Sequence, residues 1–157
     1  MKVVIQRVIN SSVKIDNKEE KYINKGLMIL VGFTYNDTKE DIDYMVNKIT
    51  NFRIFEKDNK MDLSIKDIKG DILIIPQFTL YANPYKGNRP SFTDALTPNE
   101  ADKLFEVFKE EMIKTDLNIE YGKFGSDMKV SLINDGPVTI IIDTKERFKW
   151  KRLIIGV

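Results

Sequence analysis

The sequence contains no cysteine and no histidine. That excludes the usual thiolate and imidazole zinc sites, cysteine nucleophiles, every Ser-His-Asp arrangement and any disulfide framework. Catalysis, if there is any, must come from carboxylates, lysines, hydroxyls, backbone amides or the substrate itself. With only oxygen ligands left, and no Asp/Glu run at calcium-loop spacing, neither a metal nor another cofactor is expected. No uninterrupted apolar run approaches the ~20 residues of a membrane span, and the opening MKVVIQRV places Gln6 and Arg7 where a signal peptide would carry its apolar segment. A soluble cytoplasmic protein with no membrane partner is the expectation. An excess of one charge is missing too: 25 basic residues face 24 acidic ones, a net charge of +1 with 31% of residues charged. Such a chain lacks a global nucleic-acid signature, so any RNA contact must be local.

The 157 residues fit one domain, and at this size roughly 68–70% of the unfolded surface can be buried without help from a staple. Val3 to Ile15 alternates and is rich in β-branched residues, and Gly26 to Phe33 is a short apolar run opened by glycine; both predict strands. Asp37 and Thr38 can cap a helix whose apolar positions Ile42, Met45, Val46 and Ile49 follow helical spacing. Arg53 to Glu56 predicts a short strand, Asp58-Asn59 a turn, and Asp71 to Ile75 a central strand that Pro76 ends or bulges, since proline cannot donate to a ladder. Three of the five prolines fall between Asn83 and Pro98, which predicts a long ordered loop. Thr97, Pro98 and Glu100 then form a capping signature for a second helix with Ala101, Leu104, Phe105, Phe108 and Met112 inward. Two β-like segments, Lys129 to Ile133 and Val138 to Asp143, close the order. The fold class is α+β, with mixed and antiparallel strands forming a barrel-like core and two main helices.

Two segments depart from what packing demands. In Pro76-Gln77-Phe78-Thr79-Leu80-Tyr81 an apolar strand runs directly into an amide and a hydroxyl; its bland reading is an ordinary strand end. In Asn134-Asp135-Gly136-Pro137-Val138-Thr139 the bland reading is a hairpin turn. Joined in order with Val4-Ile5-Gln6-Arg7-Val8, Asn88-Arg89-Pro90-Ser91-Phe92 and Gly122-Lys123-Phe124-Gly125-Ser126-Asp127-Met128, these segments resemble the D-aminoacyl-tRNA deacylases, also called D-tyrosyl-tRNA deacylases. The likeness runs from Met1 to about Phe148.

The resemblance implies a homodimer that hydrolyses the ester between a D-amino acid and the terminal adenosine of tRNA. It implies that Gln77, Phe78 and Thr79 line the catalytic pocket and that Gly136-Pro137, joined by a cis bond, enters the partner's pocket as the selectivity element. It places Arg7 beside that segment, and Phe124 and Met128 on the adenosine side. The family usually has Ser where Pro76 stands, so a nucleophile or amide donor is lost there. A related animal branch that edits L-alanine from threonine tRNA is similar in having Pro at this position, but has Ala where Phe78 stands and a Thr-Asn-Gly-Pro pattern. An aminoacyl ester is already activated, so a positioned water and backbone donors for the oxyanion can suffice. Thr79 as nucleophile is the alternative, although it lacks a histidine base. A tRNA-end-binding module without catalysis is the competing class. Residues 1–148 are expected to form the single deacylase domain and 149–157 an extension. The basic, aromatic stretch from Lys145 to Arg152 suits either phosphate contacts or a solvated tail.

Overall fold

The computed structural model describes residues 1–85 and 87–147. The expected extension at 149–157, and the part of the basic stretch from Phe148 onward, lie outside them. The described part of that stretch is tied to the fold: Lys145 Nζ lies 3.2 Å from Asp37, and Arg147 pairs with Glu40 at 3.2 Å and stacks over Tyr44.

In chain order the elements are β1 (Lys2–Ile15), β2 (Glu19–Ile23), β3 (Gly26–Gly32), α1 (Lys39–Asn51), β4 (Phe55–Lys57), β5 (Lys60–Leu63), α2 (Ile65–Ile68), β6 (Asp71–Pro76), α3 (Pro98–Ile113), β7 (Ile119–Tyr121) and β8 (Met128–Asp143), with a 3-10 turn at Phe78–Tyr81. The mixed, barrel-like sheet has the order β2-β1-β3-β6-β7 with β8 against β1; β4 and β5 form a separate hairpin. The pairs β3/β6 and β6/β7 are parallel and the remaining sheet pairs antiparallel. Strands β3 and β6 are covered on both faces, as parallel strands require. Leu27, Ile29, Val31, Ile72 and Ile74 face α1 and α3, while Met28, Leu73 and Ile75 join Val8, Val13, Ile15 and Ile23 in a second core.

Both expected helices form. Ile42, Met45 and Ile49 of α1 and Ala101, Phe105, Phe108 and Met112 of α3 are buried, whereas Val46 and Leu104 sit at the margin of the packed face. The capping expectation for α3 needs correction: the Thr97 hydroxyl bonds the Glu100 carboxylate at 2.5 Å instead of a backbone N–H, and Pro98 occupies the first turn. The expected strand from Arg53 starts two residues later, because its partner β5 ends at Leu63, opposite Phe55.

Strand β8 changes the reading of the Gly-Pro segment. Both of its halves pair antiparallel with β1, so the chain does not reverse there and the hairpin-turn reading fails. Gln6 pairs with Thr139 and Val8 with Asn134. Asp135, Gly136, Pro137 and Val138 therefore stand opposite Arg7 alone, a bulge that pushes Gly136 and Pro137 into solvent.

Candidate active site

The register of β6 explains where a cleft can open. Its odd residues bond β3, as in Asp71 N–H to Lys25 O (3.1 Å) and Gln77 N–H to Val31 O (2.7 Å). Its even residues bond β7: Ile72 N–H donates to Asn118 O at 2.9 Å, and Gly122 N–H to Ile74 O at 2.8 Å. The next step of that ladder needs a donor at position 76 for the Gly122 carbonyl, and Pro76 has none. Pairing with β7 stops, the chain from Lys123 peels away, and a cleft of about 400 Å³ lies between Ile75–Phe78 and Phe124–Met128, with Pro98 beside them. Pro76 thus does more than end a strand: its missing N–H sets the apex of the cleft.

The 3-10 turn follows immediately. Its first bond runs from Leu80 N–H to Gln77 O at 3.3 Å, so the Phe78 and Thr79 N–H groups are the two that the turn itself does not use. Both residues are exposed, and the Gln77 side-chain amide donates to the Thr79 hydroxyl. In that bond the Thr79 hydroxyl accepts, and among the described residues no carboxylate is seen to accept its proton. Phe124 leans on Phe105 at 6.4 Å, and Phe105 packs edge-on against Tyr121. Burial pushes the Tyr121 phenol up to about 12.

Met128 closes the floor, its sulfur accepting the Lys123 N–H at 3.4 Å. A methyl added at Gly122 would lie 2.7 Å from that sulfur and 3.0 Å from Ile75 Cδ1. Gly122→Ala should therefore drive Met128 into the cleft. Steady-state kinetics on D-tyrosyl-tRNA should show a KM raised severalfold with kcat nearly unchanged; an unchanged KM would remove Met128 from the binding surface.

Arg7, Gly136 and Pro137 form a second constellation that does not line this cleft. Arg7 is 4% exposed; its Nε donates to Asp135 O at 3.1 Å and its Nη1 to Ile54 O at 2.7 Å, with the carboxylates of Asp135 and Glu56 at 3.4 and 3.7 Å. The base of the bulge is clamped by Asn134, which accepts from Val138 N–H and donates to the Thr139 hydroxyl, each at 3.0 Å. The Gly136–Pro137 bond is cis. Of the eight candidate residues, Gln77, Phe78, Phe124 and Met128 meet in the cleft and Thr79 stands at its edge. The sequence places Pro98 only at the junction of the loop and the second helix, and Ile75 only in the central strand; nothing in their spacing signals a ligand. Among the described residues no group of three or more acidic side chains gathers to hold a metal, and no helix is long and apolar enough to cross a membrane.

A sequence profile of the D-Tyr-tRNA(Tyr) deacylases matches residues 4–143, spanning both constellations. The chain belongs to that family. A D-aminoacyl-tRNA deacylase of Fusobacterium nucleatum subsp. nucleatum is 53% identical over 147 residues, covering 93% of this chain and 97% of the relative. Among solved structures, one named c-Myc DNA Unwinding Element Binding Protein is 38% identical with a TM-score of 0.85, covering 92% of this chain and 99% of its own. A probable eukaryotic D-amino acid tRNA deacylase shares the deacylase fold at a TM-score of 0.77 and 18% identity, covering 90% and 98%.

Proposed function

We infer that the protein hydrolyses D-aminoacyl-tRNA to a free D-amino acid and tRNA, a chiral proofreading activity. The observation that carries this reading is the strand-to-turn junction at Pro76–Thr79, where Gln77 and Phe78 line a cleft and the turn leaves the Phe78 and Thr79 N–H groups unused, in a chain of this family. The terminal adenosine occupies the cleft against Phe124 and Met128, and the ester carbonyl lies at the Phe78 and Thr79 amides. Water adds to the carbonyl carbon, the amides hold the oxyanion, and collapse expels the ribose oxygen, which leaves protonated. One such donor is typically worth about 2.7–4 kcal/mol, and the neighbouring ribose hydroxyl can relay the proton without any side-chain base. No cofactor enters this scheme.

Purified protein should accelerate loss of D-tyrosyl-tRNA over buffer and leave L-tyrosyl-tRNA intact. No acceleration would favour an RNA-end-binding module, and faster loss of L-alanyl-tRNA would favour the alanine-editing branch, against which Phe78 argues. The cytoplasm, where aminoacyl-tRNA is used, is the compartment this activity requires.

The Gly136-Pro137 bulge supports a homodimer in which each bulge completes the partner's cleft. Within one chain it lines a different cavity, projects into solvent and yet is braced by a buried arginine. Val4 of β1 stands beside Ile141 of β8, and Ile141 is 67% exposed, an apolar pair suited to a second copy. Sedimentation at micromolar concentration should give twice the 18.3 kDa chain mass. A monomer with full activity would refute the shared site.

A further inference from the structure

A second cavity of about 250 Å³ adjoins the cleft and shares Phe78, Pro98 and Phe124 with it. Its remaining walls include Phe92, and among the described residues no charged side chain lines it. The one hydroxyl there, that of Thr97, is engaged by Glu100. Phe78 and Phe92 meet edge to face at 5.1 Å and still leave 50% and 38% of their surfaces exposed.

This exposure belongs to a well-held loop. Asn83 and Ser91 exchange backbone bonds at 2.8 and 3.1 Å, Leu96 N–H donates to Phe33 O at 3.0 Å, and the Thr34 hydroxyl donates to Asp94 O at 2.5 Å. The loop is fixed at both ends and presents its ring outward, with Arg89 exposed three residues before Phe92.

We propose that this second cavity is a subsite for the nucleobase preceding the terminal adenosine, the penultimate cytidine of the tRNA end. The inference rests on the deacylase reading. An adenosine seated in the cleft carries a chain on its 5′ side, and single-stranded ends are held by aromatic faces with a cation near the backbone. Phe78, shared by both cavities, separates the two bases; an uncharged aromatic notch suits a base and repels neither its edges nor its faces. It offers nothing to a phosphate or to an amino group.

The test uses D-tyrosyl esters of adenosine, of cytidylyl-adenosine, and of the same dinucleotide with an abasic ribose in place of cytidine. For the unmodified protein, kcat/KM should rise about tenfold from the first to the second, through KM, within the range that base stacking on an aromatic ring supplies. The abasic ester should return to the adenosine value. Phe92→Leu, which keeps apolar volume without the ring, should erase the gain while activity on the adenosine ester stays within about twofold, and Phe92→Tyr should retain it. Equal KM values for adenosine and cytidylyl-adenosine esters would overturn the proposal, as would an equal Phe92→Leu loss on both. A loss on the D-tyrosyl adenosine ester that is absent for the D-alanyl one would assign the cavity to the amino-acid side chain instead. If the protein hydrolyses none of these esters, the deacylase reading has failed. Calorimetric titration with unesterified cytidylyl-adenosine and adenosine then still decides the subsite, equal affinities overturning it.

Discussion

Gly136→Ala is expected to reduce hydrolysis of D-tyrosyl-tRNA by roughly two orders of magnitude, the scale of loss that a misplacement of about 1 Å produces at a reacting centre. Gly136 has a φ of +121°, a region that side-chain-bearing residues rarely adopt. Its missing side chain would also point the wrong way for an alanine: an added Cβ lies 2.9 Å from Arg7 Nη2 and 3.0 Å from Val138 Cγ2. That methyl lies against the guanidinium that braces the bulge from behind, so the bulge must move as a body. Because Gly136 and Pro137 are exposed and the sheet pairs on either side are untouched, the fold should survive. The measurement is single-turnover hydrolysis beside sedimentation. Wild-type activity in the variant would show that the position of the bulge does not govern catalysis.

The sequence makes some of this architecture readable and hides the rest for definable reasons. Helical spacing located α1 and α3, and β-branched alternation located β1, because those patterns report burial against one face. β2 was missed because Glu19, Glu20 and Lys21 are strand residues by virtue of pairing with β1, not by composition. β7 was missed because three residues beside β6 carry no period at all. The cis Gly136–Pro137 bond and the adjacency of Arg7 were legible only through resemblance. Their physical frame, four residues of β8 facing one of β1, exists only once the register is known. Pro76 is the intermediate case. Its inability to donate could be read from its identity, but that the lost bond is the one to Gly122, and so opens the cleft, depends on which residues of β6 face β7.

Arg7→Ala should destabilise the protein by roughly 3 kcal/mol, the order expected when a buried charged donor to two carbonyls is removed. Arg7 is enclosed, and its guanidinium joins three separate elements: Asp135 O in the bulge of β8, Ile54 O ahead of β4, and its own position in β1. Its ion pair with Glu56 adds little, since that carboxylate is 61% exposed and screened. For a chain of this size the loss corresponds to a fall in Tm of roughly 6–12 °C. Arg7→Lys separates charge from geometry: an ammonium restores the charge but cannot present two divergent N–H groups in one plane, so about half the stability should return. Activity should return less than stability, because the bulge then has a cation beneath it but no fixed distance from β1. Thermal unfolding and D-tyrosyl-tRNA hydrolysis, followed in parallel for both variants, separate the two. If Arg7→Lys recovers activity as fully as stability, Arg7 serves only to neutralise the bulge; if it recovers stability alone, the planar guanidinium is what fixes the position of Gly136 on which activity depends.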